Sequence, residues 1–252
     1  MRAIAKKMII FASVKPYDSI QDKKSQIRDM FDNIAPTYDR LNHLLSMNVD
    51  RIWRRRAVAA VVREHPSAVL DVATGTGDLA LALARQLPEA RITGVDLSPE
   101  MLRVARSKVD ERGLAQRVVL AEGDAESLEF ADGSFDAVTV AFGVRNFENI
   151  GAGLRQMHRV LRRGGLMVIL ELATPSNKAF GALYGGYSHR VLPKIGGMIS
   201  SDSRAYEYLP ASVDEFPVPE RFLDMMEQAG FTGCRARSQS FGIATIFTGR
   251  KE

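Results

Sequence analysis

The 252-residue chain reads as an α/β protein: a largely parallel sheet with helices on both faces. Three observations carry that reading. Short β-branched apolar runs alternate with strong helix formers from Val69 onward, a glycine-rich turn follows the first run and opens a helix, and acidic residues recur where the runs end.

The first run, "VLDVA" (69–73), is short and β-branched, which fits a buried strand. "DLALALARQL" after Gly77 is composed of good helix formers. "RITGVD" (91–96) is the second strand. The helix after it has its ends written out, with Ser98 as cap, Pro99 at the first helical position and Gly113 past the last turn. "RVVLAEGD" (117–124) and "SFDAVTVAF" (134–142) are the third and fourth strands. "IGAGLRQMHRVLRRGG" (150–165) is expected to be a helix ending at its paired glycines, and "LMVILEL" (166–172) the fifth strand. The alternation then breaks until "PERFLDMMEQAG" (219–230), a helix followed by two strands near 231–238 and 242–249. So few residues separate those two that they should pair as an antiparallel hairpin. Residues 18–65 and 173–217 have helical periodicity and lie outside the sheet. The economical reading is one domain over 1–252, with a helical cover made from these two pieces.

Composition narrows the class. Hydrophobic residues make up 46% of the chain, enough for a core, and 34 basic against 30 acidic residues leave +4, too small an excess to select an anionic partner. Cys234 is the one cysteine, which excludes an internal disulfide and suggests a reducing compartment. His43, His65, His158 and His189 are scattered without ligand spacing, so no metal is expected. The opening "MRAIAKKMIIFASV" has a short apolar patch and no A-x-A site, which favours a tail or added strand over a signal peptide. No apolar run approaches the ~20 residues needed to span a bilayer. A cytoplasmic protein, touching a membrane only from its surface, is expected.

The chemistry gathers at strand ends. Gly75 and Gly77 in "DVATGTGD" let the chain turn tightly and bring backbone against a ligand. Asp96 closes the second strand, where a carboxylate accepts ribose hydroxyls or, alternatively, caps the turn before Ser98. A dinucleotide loop carries a third glycine for the pyrophosphate, and here that position is Ala80. The loop therefore suits S-adenosylmethionine better than a nicotinamide dinucleotide. Asp78 is compatible with a nearby sulfonium and equally with an ordinary favourable charge at a helix start. Asp124 and Ala125, after the third strand, are placed to take an adenine through carboxylate and backbone, with a plain turn aspartate as the alternative.

The segments "FDNIAPTYDRLN" (31–42) and "FGVRN" (142–146) are specific. With "LDVATGTGD", "LSMNVDRIWRRRAV", "MHRVLRRGG" and "LPKIG" followed by "YEYL", they resemble the menaquinone/ubiquinone biosynthesis C-methyltransferases. Those belong to the class I S-adenosylmethionine-dependent methyltransferases, and the likeness runs from about Lys24 to Lys251. It implies a Rossmann-like, seven-stranded sheet with the last strand antiparallel. It implies S-adenosylmethionine held by Gly75, Thr76, Gly77, Asp96, Asp124 and Ala125, and C-methylation of demethylmenaquinol or of a ubiquinol precursor. Arg163 departs from the usual L-x-P-G-G and Ala73 from the usual first glycine. The register around "GGYSHRVLP" gives His189 no role.

The resemblance also sets the fourth strand beside the first, so Arg145 and Asn146 are expected at the substrate mouth, with a solvated loop arginine as the alternative. A quinol hydroxyl, phenol-like with a pKa of about 10, must lose its proton before the ring carbon attacks a sulfonium methyl. A fixed guanidinium favours that anion. Arg145 is therefore expected as electrostatic stabiliser, Asn146 as holder of a water that takes the proton, and Tyr38 as donor to the second quinol oxygen. Residues 176–200 suit a pliant apolar lid over the prenylated quinol or a plain helical cap. Arg54, Arg55 and Arg56 beside Trp53 suit anionic headgroups or a solvated face. Peripheral membrane contact is thus a partner expectation, and a homodimer a candidate assembly. Nucleic acid is not expected: the N/D-P-P-Y/F motif of amino-methylating enzymes is missing after the fourth strand, and Cys234 lies in a late strand. A non-catalytic cofactor-binding subunit of a quinone pathway complex is the rival of a different class.

Overall fold

The computed structural model describes residues 14–17, 19–175, 185–186, 202 and 204–252. The expected N-terminal tail and nearly all of the expected lid at 176–200 lie outside the described residues. Seven strands form one sheet: β1 (Ala68–Val72), β2 (Arg91–Asp96), β3 (Val118–Glu122), β4 (Phe135–Ala141), β5 (Leu161–Leu172), β6 (Thr232–Gln239) and β7 (Ala244–Arg250), in the order β3-β2-β1-β4-β5-β7-β6. β1 pairs in parallel with β2 and β4, β2 with β3, and β4 with β5. β7 runs antiparallel to both β5 and β6, as the resemblance and the expected hairpin required. The order reverses between β1 and β4, where open α/β sheets bind ligands beyond their carboxyl ends.

Among the described residues the longer helices are α1 (Lys23–Ile34), α2 (Tyr38–Leu45), α3 (Val49–Val62), α4 (Asp78–Gln86), α5 (Pro99–Glu111), α6 (Ile150–Val160), α7 (Arg204–Glu215) and α8 (Pro219–Gln228). Local chemistry starts them where the residues say. Ser98 Oγ accepts from Met101 N at 3.0 Å, and Asn149 Oδ1 accepts from Ala152 N at 2.9 Å. Strand alternation sends Val69, Ala137 and Val168 to one face, with Trp53, Leu79 and Leu83 of α3 and α4. Leu70, Val138 and Ile169 go to the other face, with Leu154, Met157, Phe222 and Met226 of α6 and α8. A third cluster joins Ile27 and Met30 of α1, Leu41 of α2, Met101 of α5 and Tyr206 and Tyr208 of α7. Segments far apart in sequence thus share one apolar roof over the sheet.

One expected boundary is corrected. The helix at 150–165 stops at Val160, and β5 begins at Leu161. Leu161 is fully buried and pairs with Phe135, so sheet pairing takes the chain before the glycines do. The residues before Leu166 are absorbed as a register shift, with Gly164 at φ +76°.

Gly94 sits in the middle of β2, where an added Cβ would lie 2.7 Å from Leu120 Cδ2 and 2.9 Å from Thr74 Oγ1. Gly94→Ala is expected to destabilise the fold by about 1–3 kcal/mol. Urea unfolding should show this as a lower midpoint with an unchanged slope.

Candidate active site

The carboxyl ends of β1 to β4 open into a cleft enclosing about 710 Å³, part of it open to solvent. Ala73 and Gly75 contribute from after β1, Asp96 to Ser98 from β2, Gly123 to Glu126 from after β3, and Phe142, Gly143 and Asn146 from β4. Lys24, Ile27 and Phe31 of α1 and Tyr38 of α2 close it from above. Its charged lining is Asp96, Asp124, Glu126 and Glu148 against Lys24 and Arg28, an acidic excess that suits a cationic ligand.

The turn after β1 is built from left-handed backbone, with Ala73 at φ 51°, Gly75 at φ 55° and Gly77 at φ 82°. Glycine takes such angles freely, whereas Ala73 holds one under strain and presses on the next wall. A Cβ on Gly143 would lie 2.6 Å from Ala73 Cβ. Asp96 caps the turn before Ser98, one of the two alternatives its position offered, and it also lines the cleft. Its Oδ2 accepts from Gly75 N at 2.7 Å and its Oδ1 from Ser98 N at 2.9 Å. Burial pushes its carboxyl up to about 6, against the pull of those donors. Asp71 in β1 is likewise pushed up to about 6 by burial, although Thr74 and Thr139 each donate to it at 2.7 Å.

Asp124 and Ala125 line the cleft, and Asp124 Oδ2 accepts from Lys24 Nζ at 2.6 Å. Thr76 and Gly77 are not among the lining residues. Thr76 Oγ1 donates to Asp39 Oδ1 at 2.6 Å, and Gly77 starts α4 where a Cβ would meet Ala105 at 3.1 Å. Asp78 faces a charge cluster behind the loop. It pairs with Lys108 at 2.6 Å and lies 3.6 Å from both His43 and Arg54. Burial raises its carboxyl, but Arg54 and Lys108 outweigh that and hold it below the usual range. Lys108 also reaches Asp39 at 2.8 Å, and Asp50 gathers His43, Ser46 and Arg54.

Arg145 and Asn146 belong to a single 3-10 turn, Val144–Asn146; both side chains donate to Phe142 O, at 2.5 and 3.5 Å, but they border different cavities. Asn146 lines the cleft, and Tyr208 Oη donates to its Oδ1 at 3.2 Å. The expectation that Arg145 stands at the substrate mouth is corrected. Its side chain is 6% exposed and pairs at 2.6 Å with Glu171, whose side chain is 0% exposed. The guanidinium also donates to Phe142 O at 2.5 Å, and Glu171 Oε2 accepts from Arg145 N at 3.2 Å. A fully buried carboxylate requires a cation, and that demand overrides the usual preference of arginine for solvent. Arg145 borders a smaller cavity with Lys23, Tyr208, Ser212 and Glu215, and its Nε has no hydrogen-bond partner among the described residues. Tyr38 does line the cleft. Burial raises its phenol, while Arg145 pulls the other way. Sequence reasoning missed Lys24, Glu171 and Tyr208; the one signal for any of them was a carboxylate inside the apolar "LMVILEL".

Known proteins resemble the chain in sequence and in fold. The family model described as the ubiE/COQ5 methyltransferase family matches residues 19–251. The chain belongs to that family. It is 50% identical over 220 residues to a demethylmenaquinone methyltransferase of Thermus thermophilus, spanning 87% of this chain and 99% of the relative. Over 233 residues it is 49% identical to the ubiquinone/menaquinone biosynthesis C-methyltransferase UbiE of Geobacter sulfurreducens, spanning 92% and 91% of the two chains. A solved SAM-dependent methyltransferase of Thermotoga maritima shares the fold at a TM-score of 0.63 and 19% identity, covering 90% of this chain and 100% of that one. The resemblance read from 31–42 and 142–146 is borne out, and the chain is an S-adenosylmethionine-dependent methyltransferase. The acid-rich lining of the cleft fits the sulfonium and ammonium cations of that cofactor.

Two predictions follow from these charges. Asp96 loses its carboxylate as pH falls through about 6. S-adenosylmethionine affinity, measured by titration calorimetry, should therefore weaken from roughly pH 7 to pH 5, and Asp96→Asn should bind poorly without that dependence. Arg145→Met leaves Glu171 unpaired and is expected to cost about 3–5 kcal/mol of stability in chemical denaturation. Adding Glu171→Leu should recover most of that loss.

Proposed function

We propose that the chain transfers the methyl group of S-adenosylmethionine to a ring carbon of a prenylated quinol, demethylmenaquinol first and a ubiquinol precursor second. The acceptor class rests on one observation: near full-length identity of 50% and 49% to relatives named for menaquinone and ubiquinone methylation. The cleft supports the donor half. In this reading Asp96 takes the ribose hydroxyls, Asp124 and Ala125 the adenine, and Gly75 the backbone contact, while Thr76 and Gly77 shape the loop from behind.

The cofactor supplies an electrophilic methyl on a sulfonium. The chain must hold a quinol whose hydroxyl, with a pKa of about 10, gives up its proton to a water; the ring carbon then takes the methyl as the S–CH3 bond breaks to a neutral thioether, and the ring loses its own hydrogen to water as a proton. Tyr38 keeps its own proton because burial raises it, and it donates to one quinol oxygen. Tyr208 donates to Asn146 Oδ1 and the Asn146 amide donates to Phe142 O at 3.5 Å; in this reading its second N–H donates toward the developing phenolate. Arg145 acts as a positioning residue: through Glu171 and Phe142 O it sets the turn that presents Asn146. The prenyl chain of such a substrate lies in a bilayer. Among the described residues no helix is long and apolar enough to cross one, so this reading has the substrate met at the membrane surface.

Mass spectrometry of host quinones with and without the gene tests the assignment; accumulation of a demethylated quinone on deletion is expected, and an unchanged pool refutes it. Asn146→Ala should lower kcat by about a hundredfold while S-adenosylmethionine affinity stays within about twofold, as single-turnover and binding assays can read.

A further inference from the structure

We propose that the turn between α2 and α3, the first half of α3 and the turn between β6 and β7 form one docking surface for an anionic lipid bilayer; this rests on the prenylated quinol as substrate. Four of the seven exposed large hydrophobic residues among the described ones are Leu44, Met47, Ile52 and Phe241. Two of them sit on strained backbone. Met47 has φ 51° and is 77% exposed, and Phe241 has φ 58° and is 80% exposed. A non-glycine residue held left-handed so as to carry a large apolar side chain into water opposes folding twice over, and such strain collects at binding sites.

The fold brings the two turns together. Trp53 Nε1 donates to Ser240 Oγ at 2.9 Å, and Arg56 donates to Gln239 Oε1 at 2.5 Å, so the tip bearing Phe241 lies against the stretch of α3 that carries Ile52. Arg51, Arg55 and Arg56 are exposed on the same helix and make no ion pair among the described residues. The expected arginine triplet divides. Arg54 turns inward to Asp50 and lies 5.3 Å from the Phe142 ring centroid, while its neighbours stay outside. Apolar tips beside exposed guanidinium groups that no carboxylate pairs among the described residues suit the headgroup region of an anionic bilayer. A second copy of the chain fits less well, because a two-fold interface here would set arginines against arginines. The surface is also continuous with the cleft, since Trp53 packs edge-on against Phe142 with ring centroids 6.4 Å apart and Phe142 lines the cleft.

The test is co-sedimentation of the full chain with vesicles of phosphatidylcholine alone and of phosphatidylcholine with phosphatidylglycerol, at low and high salt. Binding to the anionic vesicles that weakens with salt is expected. Met47→Asp with Phe241→Asp, and separately Arg51→Glu with Arg55→Glu, should each reduce it by about tenfold or more. Both variants should methylate a water-soluble, short-chain demethylated quinol like the parent, but a vesicle-embedded long-chain one more slowly. Parental binding by both variants, or no binding by the parent, overturns the surface. Self-association in ultracentrifugation that the variants abolish reassigns it to a second copy and also overturns it. Failure of the parent on the soluble quinol refutes the acceptor assignment instead, and leaves the vesicle result to decide the surface.

Discussion

A carboxylate buried at the end of an interior strand has to be answered by a cation, and Glu171 is answered by Arg145. The geometry of the cleft wall follows from that pairing. The paired arginine closes the Val144–Asn146 turn on Phe142 O, and the same turn sets Asn146 in the cleft wall. Glu171 also accepts from Leu172 N at 2.9 Å, so one ion pair fixes how the chain leaves both β4 and β5. The side chain most suggestive of direct chemistry in the sequence therefore works from behind the surface it shapes.

The parallel strands carry their carboxyl ends to one edge, where two further carboxyls are placed under similar pressure. Asp71 and Asp96 are both raised to about 6 by burial, and both are engaged by the turn after β1, through Thr74 Oγ1 and Gly75 N respectively. The loop is thus held by acids that are themselves poorly solvated. For Asp71 the sign is clear: its folded carboxyl lies above the ordinary 3.8, so its burial opposes folding increasingly as pH rises from about 4 and fully above about 6. Unequal solvation of this kind is characteristic of sites where charge is arranged for a ligand.

Most strands were legible because each is a short local run with its own punctuation, and the hairpin because little chain separates its arms. Asp96, Asp124 and Gly75 were legible because strand ends in this topology converge. Arg145 was placed wrongly because its orientation depends on Glu171, 26 residues away in a strand that local pattern cannot pair. Lys24 was missed for the same reason: its partner Asp124 is 100 residues distant. Thr76 and Gly77 show the limit of a motif, which located the loop but not which of its residues face inward.

The charges behind the glycine loop form a chain from roof to floor: Asp50 with Arg54 and His43, Asp78 with Lys108, Lys108 with Asp39, and Asp39 with Thr76. α2, α3, α4 and α5 are therefore braced to the loop as one truss. Through Asp39 and Thr76, the helix that brings Tyr38 to the cleft is tied to the turn that brings Gly75 there, so the two walls are positioned together.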